Sequence, residues 1–122
     1  MRAAADLLRQ ARGSVVNILD LSAFQPWVDY PHHAVSKAGL LHLTRILARV
    51  LAPEVRVNAI APGTVLPPDG YDEEARSRER ARTLVGQLGT PQDVLRTVLF
   101  LAASPFITGE VVVVDGGRSL KG

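Results

Sequence analysis

A chain of 122 residues with 47% hydrophobic and 21% charged side chains suits one domain with a core, and is too apolar for disorder. Fourteen Lys+Arg against twelve Asp+Glu leave a net charge of +2, and no basic run with interleaved aromatics supports nucleic-acid binding. Cysteine is absent, which removes disulfides and thiolate metal sites, and His32, His33 and His42 have no zinc-type spacing with carboxylates.

The first element is a short helix over residues 3–10, with Gly13 as its stop. The run 14–19 (SVVNIL) is apolar and β-branched, which predicts a parallel strand buried on both faces. A loop then carries Pro26, the only tryptophan, Trp27, and Tyr30. From 32 to 51 the spacing of Val35, Leu40, Leu43, Leu47 and Leu51 predicts a long helix, stopped by Pro53. A second strand spans 55–61, and a loop rich in proline and glycine follows from Pro62 to Gly70. The mixed charges of 72–82 (DEEARSRERAR) read as the solvated face of a helix. Thr90-Pro91-Gln92-Asp93 carries a cap, a first-turn proline and a first-turn acid, so it opens a helix running to about 103. A third strand, 110–115, ends in a tight turn at Gly116-Gly117.

Strands separated by helices imply crossover connections and a parallel sheet, hence an α/β fold. The longest apolar stretch, 94–109, contains Arg96 and a proline and is too short to span a bilayer. Residues 1–12 lack the apolar core of a signal peptide, and a cytoplasmic protein with no membrane partner is expected.

Three segments in this order, 14–18, 33–65 and 88–117, resemble the second half of the short-chain dehydrogenases/reductases. Within that family the resemblance is closest to pteridine reductases. Asp20 stands thirteen residues before position 33, where serine is usual, and QPWVDY (25–30) is similar to their loop. The resemblance implies the C-terminal half of a Rossmann-like doubly wound sheet: about three parallel strands, flanking helices, and a single truncated domain over 1–122. The Gly-rich turn that cradles cofactor phosphates in this family, and the stretch with its catalytic asparagine, are not in this sequence.

The resemblance also assigns roles. Asp20 takes the place of the group that orients substrate, and position 33 that of the proton donor. Lys37 takes that of the ammonium holding the nicotinamide ribose. Tyr30 lines the substrate pocket, and Pro62, Gly63 and Val65 meet the nicotinamide. The implied cofactor is NADP(H) or NAD(H), and the implied substrate is a small molecule with a pteridine-like C=N or a carbonyl. A homo-oligomer is expected from the long helix, which in the family packs on its mate, or else a complementing N-terminal half.

One departure stands inside the motif, where His33 replaces the family's tyrosine. Positions 33 and 37 share a helix face. Imidazolium is an acid nearer neutrality than phenol. Lys37 opposes a second positive charge there, while Asp20 favours one. Imidazole is also shorter than phenol, and roughly 1 Å of misplacement can cost about a hundredfold in rate. A weakened reductase is therefore expected; the alternative is a catalytically silent remnant or an oligomerising module. Read without the family, Asp20 is a strand-end cap, Tyr30 a loop aromatic, His32 an exposed residue and His42 a structural one.

Overall fold

The computed structural model describes residues 2–65 and 71–121. Its centre is β2 (Arg56–Pro62), whose apolar run pairs in parallel on both sides. On one side lies β1 (Ser14–Ile18), registered from Ser14–Arg56 to Ile18–Ile60. On the other lies β3 (Val111–Val114), registered from Ala59–Val111 to Pro62–Val114. Because the strands are parallel, all three carboxyl ends point the same way. The segments that follow them, starting at Leu19, Gly63 and Asp115, meet along one edge of the sheet.

Among the described residues the α-helices are α1 (Arg2–Ala11), α2 (Pro31–Val50), α3 (Glu73–Ala81) and α4 (Pro91–Ala103), and α2 and α4 pack on the sheet. Side-chain alternation along β2 sorts them. Val57, Ala59 and Ala61 pack with α2, and the cluster around Val57 also takes in Ala5 and Leu8 of α1. Arg56 and Asn58 point to the α4 side. The Arg56 guanidinium donates to the carbonyls of Leu101, Ser104 and Ala102 at 2.7–2.8 Å, satisfying the end of α4. Asn58 donates to Ile107 O and accepts from Glu110 N, both at 3.0 Å, fixing the approach to β3. Leu19, Leu51, Ile60 and Leu101 are almost fully buried, each contributing about 1.5–3 kcal/mol by burial.

Helix ends follow local chemistry. The start of α4 is where the sequence predicts it, and there the Asp93 carboxylate accepts from both the backbone N–H and the hydroxyl of Thr90. The Asp72 carboxylate accepts from Ala75 N at 2.8 Å at the start of α3. The stop of α1 is made by Arg12 in the left-handed region (φ +50°), after which Gly13 N donates to Leu8 O.

Three expectations are corrected. β1 is only half-buried and Ile18 is exposed, since among the described residues the strand has a neighbour on one side only. On α2 the core face is carried by Leu40, Leu41, Thr44, Leu47 and Ala48, while Val35 and Leu43 are exposed. Thr44 is completely buried because its hydroxyl donates to Leu40 O and accepts from Asn17 Nδ2. His42, expected to be structural, is exposed. Of the loop expected over 62–70, Pro62 ends β2, and 66–70 lie outside the described residues.

Candidate functional site

The chain leaves β1, buries Leu19, and turns at once. Asp20 is extended (φ −155°) and caps a single 3-10 turn, Leu21–Ala23. Its Oδ1 accepts from the Ser22 backbone N–H at 2.9 Å and from the Ser22 hydroxyl. Its Oδ2 lies 2.6 Å from His33 Nε2, in the first turn of α2. The two readings of Asp20, turn cap and partner of position 33, are both realised, one on each oxygen. Partial burial acts to raise the Asp20 pKa. The hydrogen bonds from Ser22 and His33 outweigh it and hold the carboxyl below its ordinary 3.8.

An ionised carboxylate only accepts hydrogen bonds, so His33 Nε2 carries the proton between them. Nδ1 is then the nitrogen that gains or gives a proton. Trp27 stacks on the imidazole at 6.1 Å between centroids and 14° between planes. The ring is thus held at one edge and covered on one face, with its side chain 41% exposed. Lys37 follows one helical turn later, and its ammonium donates to Ile18 O at 3.2 Å, two residues before Asp20. Asp20, His33 and Lys37 therefore gather at the carboxyl end of β1, where open α/β sheets bind their ligands.

Comparison with known proteins agrees with this frame. The family model described as enoyl-(acyl carrier protein) reductase matches residues 1–119. The 3-oxoacyl-[acyl-carrier-protein] reductase FabG of Thermotoga maritima is 35% identical over 116 residues, covering 91% of this chain and 47% of its own length. Tropinone reductase-like 3 of Erythroxylum coca is 41% identical over 116 residues, covering 88% of this chain and 44% of its own. A crystal structure of a short-chain dehydrogenase/reductase from Caenorhabditis elegans with cofactor superposes at a TM-score of 0.90 and 30% identity. That match covers 98% of this chain and 50% of the other. The chain belongs to the short-chain dehydrogenase/reductase family. It spans about half the length of the curated relatives it matches.

In this short-chain dehydrogenase/reductase chain the other expected site residues are spread along the same edge. Tyr30 directly precedes α2 and is 58% exposed, with no side-chain hydrogen bond among the described residues. Pro62 closes β2, and Gly63 donates to Val114 O at 2.9 Å. A Cβ on Gly63 would lie 3.0 Å from the Asp115 Cβ, so close packing on the end of β3 accounts for this glycine. Val65 turns its side chain toward Gly89 and borders a cleft of about 440 Å³ with Thr64, Asp93 and Phe100. That cleft is lined by neither Asp20, His33 nor Lys37, so this hollow and the charged cluster are separate features.

Gly116 and Gly117 both have positive φ, and a Cβ on Gly117 would lie 2.7 Å from Leu84. The tight turn expected there is present. The Asp115 carboxylate accepts from Gly117 N and Ser119 N at 2.8 Å. Burial pushes its pKa up, but the hydrogen bonds from Ser119 and Gly117 prevail and leave it lowered.

Sequence reasoning missed one group. Glu79, inside the stretch read as a solvated helix face, is buried. Its Oε1 pairs with Arg82 at 2.9 Å and its Oε2 with Arg118 at 2.8 Å and Thr64 Oγ1 at 3.1 Å. Arg118 also donates to Thr64 Oγ1 at 2.8 Å. This network ties α3 and the C-terminal turn to the loop after β2. Arg118 lies 39 residues from Glu79, and no local pattern announces the pair.

Proposed function

We propose that this chain builds the substrate side of an NADPH- or NADH-dependent reductase acting on a carbonyl or a pteridine-like C=N bond. The observation that carries the reading is the 2.6 Å contact between His33 and Asp20, beside the carbonyl that receives Lys37. The donor set fits the nicotinamide end of such a cofactor. Lys37 has one acceptor among the described residues, which leaves ammonium hydrogens for ribose hydroxyls. Pro62 ends β2, and Gly63 and Val65 lie on the loop that follows it, at the same edge of the sheet.

A bound reduced nicotinamide would supply the hydride to the carbon of the reacting bond. His33 supplies the proton to its oxygen or nitrogen from Nδ1, while Nε2–H stays on Asp20. The arrangement is that of an imidazole oriented by a carboxylate, with Ser22 fixing the carboxylate in turn. The 41% exposure of the His33 side chain lets water restore the proton after each turnover. Tyr30 stands at the mouth as a substrate contact. Activity is weakened relative to a tyrosine enzyme, because the imidazole reaches less far and is held back by Asp20. The pteridine-like substrate draws its support from Asp20 and the Gln25–Tyr30 loop.

The test is calorimetric titration of the purified chain with NADPH and NADH, followed by turnover assays of His33→Tyr with carbonyl and dihydropterin substrates. Saturable binding below about 1 mM and a faster His33→Tyr enzyme are expected. Absence of any saturable heat with either nucleotide removes the reductase reading for this polypeptide.

A further inference from the structure

A second cleft, of about 320 Å³, opens between Gln25, Ala81, Arg82, Arg118 and Lys121. Its wall carries three cationic side chains and no carboxylate. The acid paired with two of them, Glu79, has its side chain only 8% exposed, behind the arginines, and the Asp115 carboxylate is taken up by Gly117 N and Ser119 N. Glu79 uses one oxygen for each guanidinium, which sets the two forks side by side before any ligand arrives. Lys121 is anchored to the end of α3 through a 2.5 Å hydrogen bond to Ala81 O. Only one N–H-bearing nitrogen of each guanidinium is engaged among the described residues, so both retain donors for a ligand. Paired guanidiniums held in place match the planar, two-point geometry of carboxylate and phosphate oxygens. Pre-ordering by Glu79 lowers the entropy lost on binding.

The position of the cleft gives it a use. Gln25 belongs to the loop that runs from Asp20 to His33, five residues past Asp20. Arg118 is bonded to Thr64, the residue after Gly63. The cleft thus lies between the loop of the proton donor and the loop after β2. We propose that Arg82, Arg118, Lys121 and Gln25 form an anion subsite that selects carbonyl substrates bearing a carboxylate or phosphate group. The substrate assignment rests on the reductase reading above; the anion site itself does not.

The experiment separates the two. The purified chain is titrated by calorimetry with orthophosphate and with succinate at low ionic strength and without nucleotide. The same titrations follow on Arg82→Gln/Lys121→Gln and on Gln25→Glu, which leave Arg118 and its pair with Glu79 intact. Melting curves verify that each variant folds. One saturable site is expected, weakened about tenfold or more in both variants, as loss of charge-assisted hydrogen bonds predicts. The tighter of the two probes identifies the preferred acid group. No saturable binding, or equal affinity in wild type and both variants, overturns the subsite whatever the outcome with NADPH. If anions bind but a keto acid and its methyl ester are reduced with equal KM, the site stands apart from the substrate and the proposed selection is wrong.

Discussion

Two polar clusters lie along the carboxyl edge of this sheet, and they are built in opposite ways. At the end of β1, Asp20 spends one oxygen on Ser22 and the other on His33, and His33 and Lys37 remain partly exposed. Near the end of β2, Glu79 has both oxygens engaged and is shut away from solvent by Arg82, Arg118 and Thr64. The first cluster leaves its acid partly exposed and its histidine and lysine open at the same point; in the second only the outer guanidinium nitrogens face the cleft. The second spends its acid on joining three segments that are distant in sequence. A reacting acid–base pair needs its own hydrogen-bonding capacity near water, whereas a buried acid that ties segments together needs both oxygens saturated.

Arg118→Leu breaks the tie most severely. It removes the Oε2 partner of Glu79 and a donor to Thr64, leaving a buried carboxylate with Arg82 as its remaining charged partner. Breaking a fully buried pair costs about 3–5 kcal/mol. With Arg82 still present the expected loss is about 2–3 kcal/mol, read from urea unfolding with unchanged slope. A loss as small as that of an exposed pair, under about 1 kcal/mol, would erase the contrast between the clusters.

Asp20→Asn is the matching change at the open cluster and has a smaller effect. Asparagine can still cap the turn at Ser22, so the loss is that of the charged contact with His33, about 1 kcal/mol. The pH dependence sharpens it. The folded-state carboxyl titrates below 3.8, so its stabilisation is whole above that value and is lost as pH falls through the lower folded value. Asp93 and Asp115 are lowered as well and lose their contributions on the same side. Melting temperature measured from about pH 6 down to pH 2 should fall on the acid side in the parent and less steeply in Asp20→Asn. Parallel acid limbs in the two proteins would mean that Asp20 contributes nothing through its charge.

The elements themselves were legible because each carries local punctuation. Pro53 follows the end of α2, Thr90-Pro91 and Asp93 open α4, and Gly116-Gly117 end β3. The three strands fell within a residue or two of their predicted ends because β-branched runs bounded by turns have few other fates. Burial was less legible. Leucine spacing pointed to Val35 and Leu43 on α2, yet the core face runs through Thr44, whose hydroxyl is satisfied by Asn17 from β1. A polar residue at the centre of a core face is intelligible only once its cross-element partner is known. The meeting of Asp20 with position 33 was expected from the thirteen-residue spacing of the family. Glu79 with Arg118 had no such precedent, and a run of mixed charges hides one buried acid among exposed neighbours.

The smallest effect concerns Trp27, which marks the open cluster in a way the closed one has no equivalent for. It is the only tryptophan of the chain, and it stacks on the imidazole of His33. Three neighbours bear on this ring: Asp20 at Nε2, Trp27 on one face, and Lys37 one helical turn away with its ammonium on Ile18 O. His33→Gln removes the stacked ring and should change Trp27 emission at fixed pH, whereas His32→Gln and His42→Gln, both at exposed positions, should leave it unchanged. Trp27→Phe keeps an aromatic face over the imidazole and should cost less than about 1 kcal/mol. Emission identical in the parent and His33→Gln would separate Trp27 from His33 in solution and open the cluster further than the 6.1 Å stack allows.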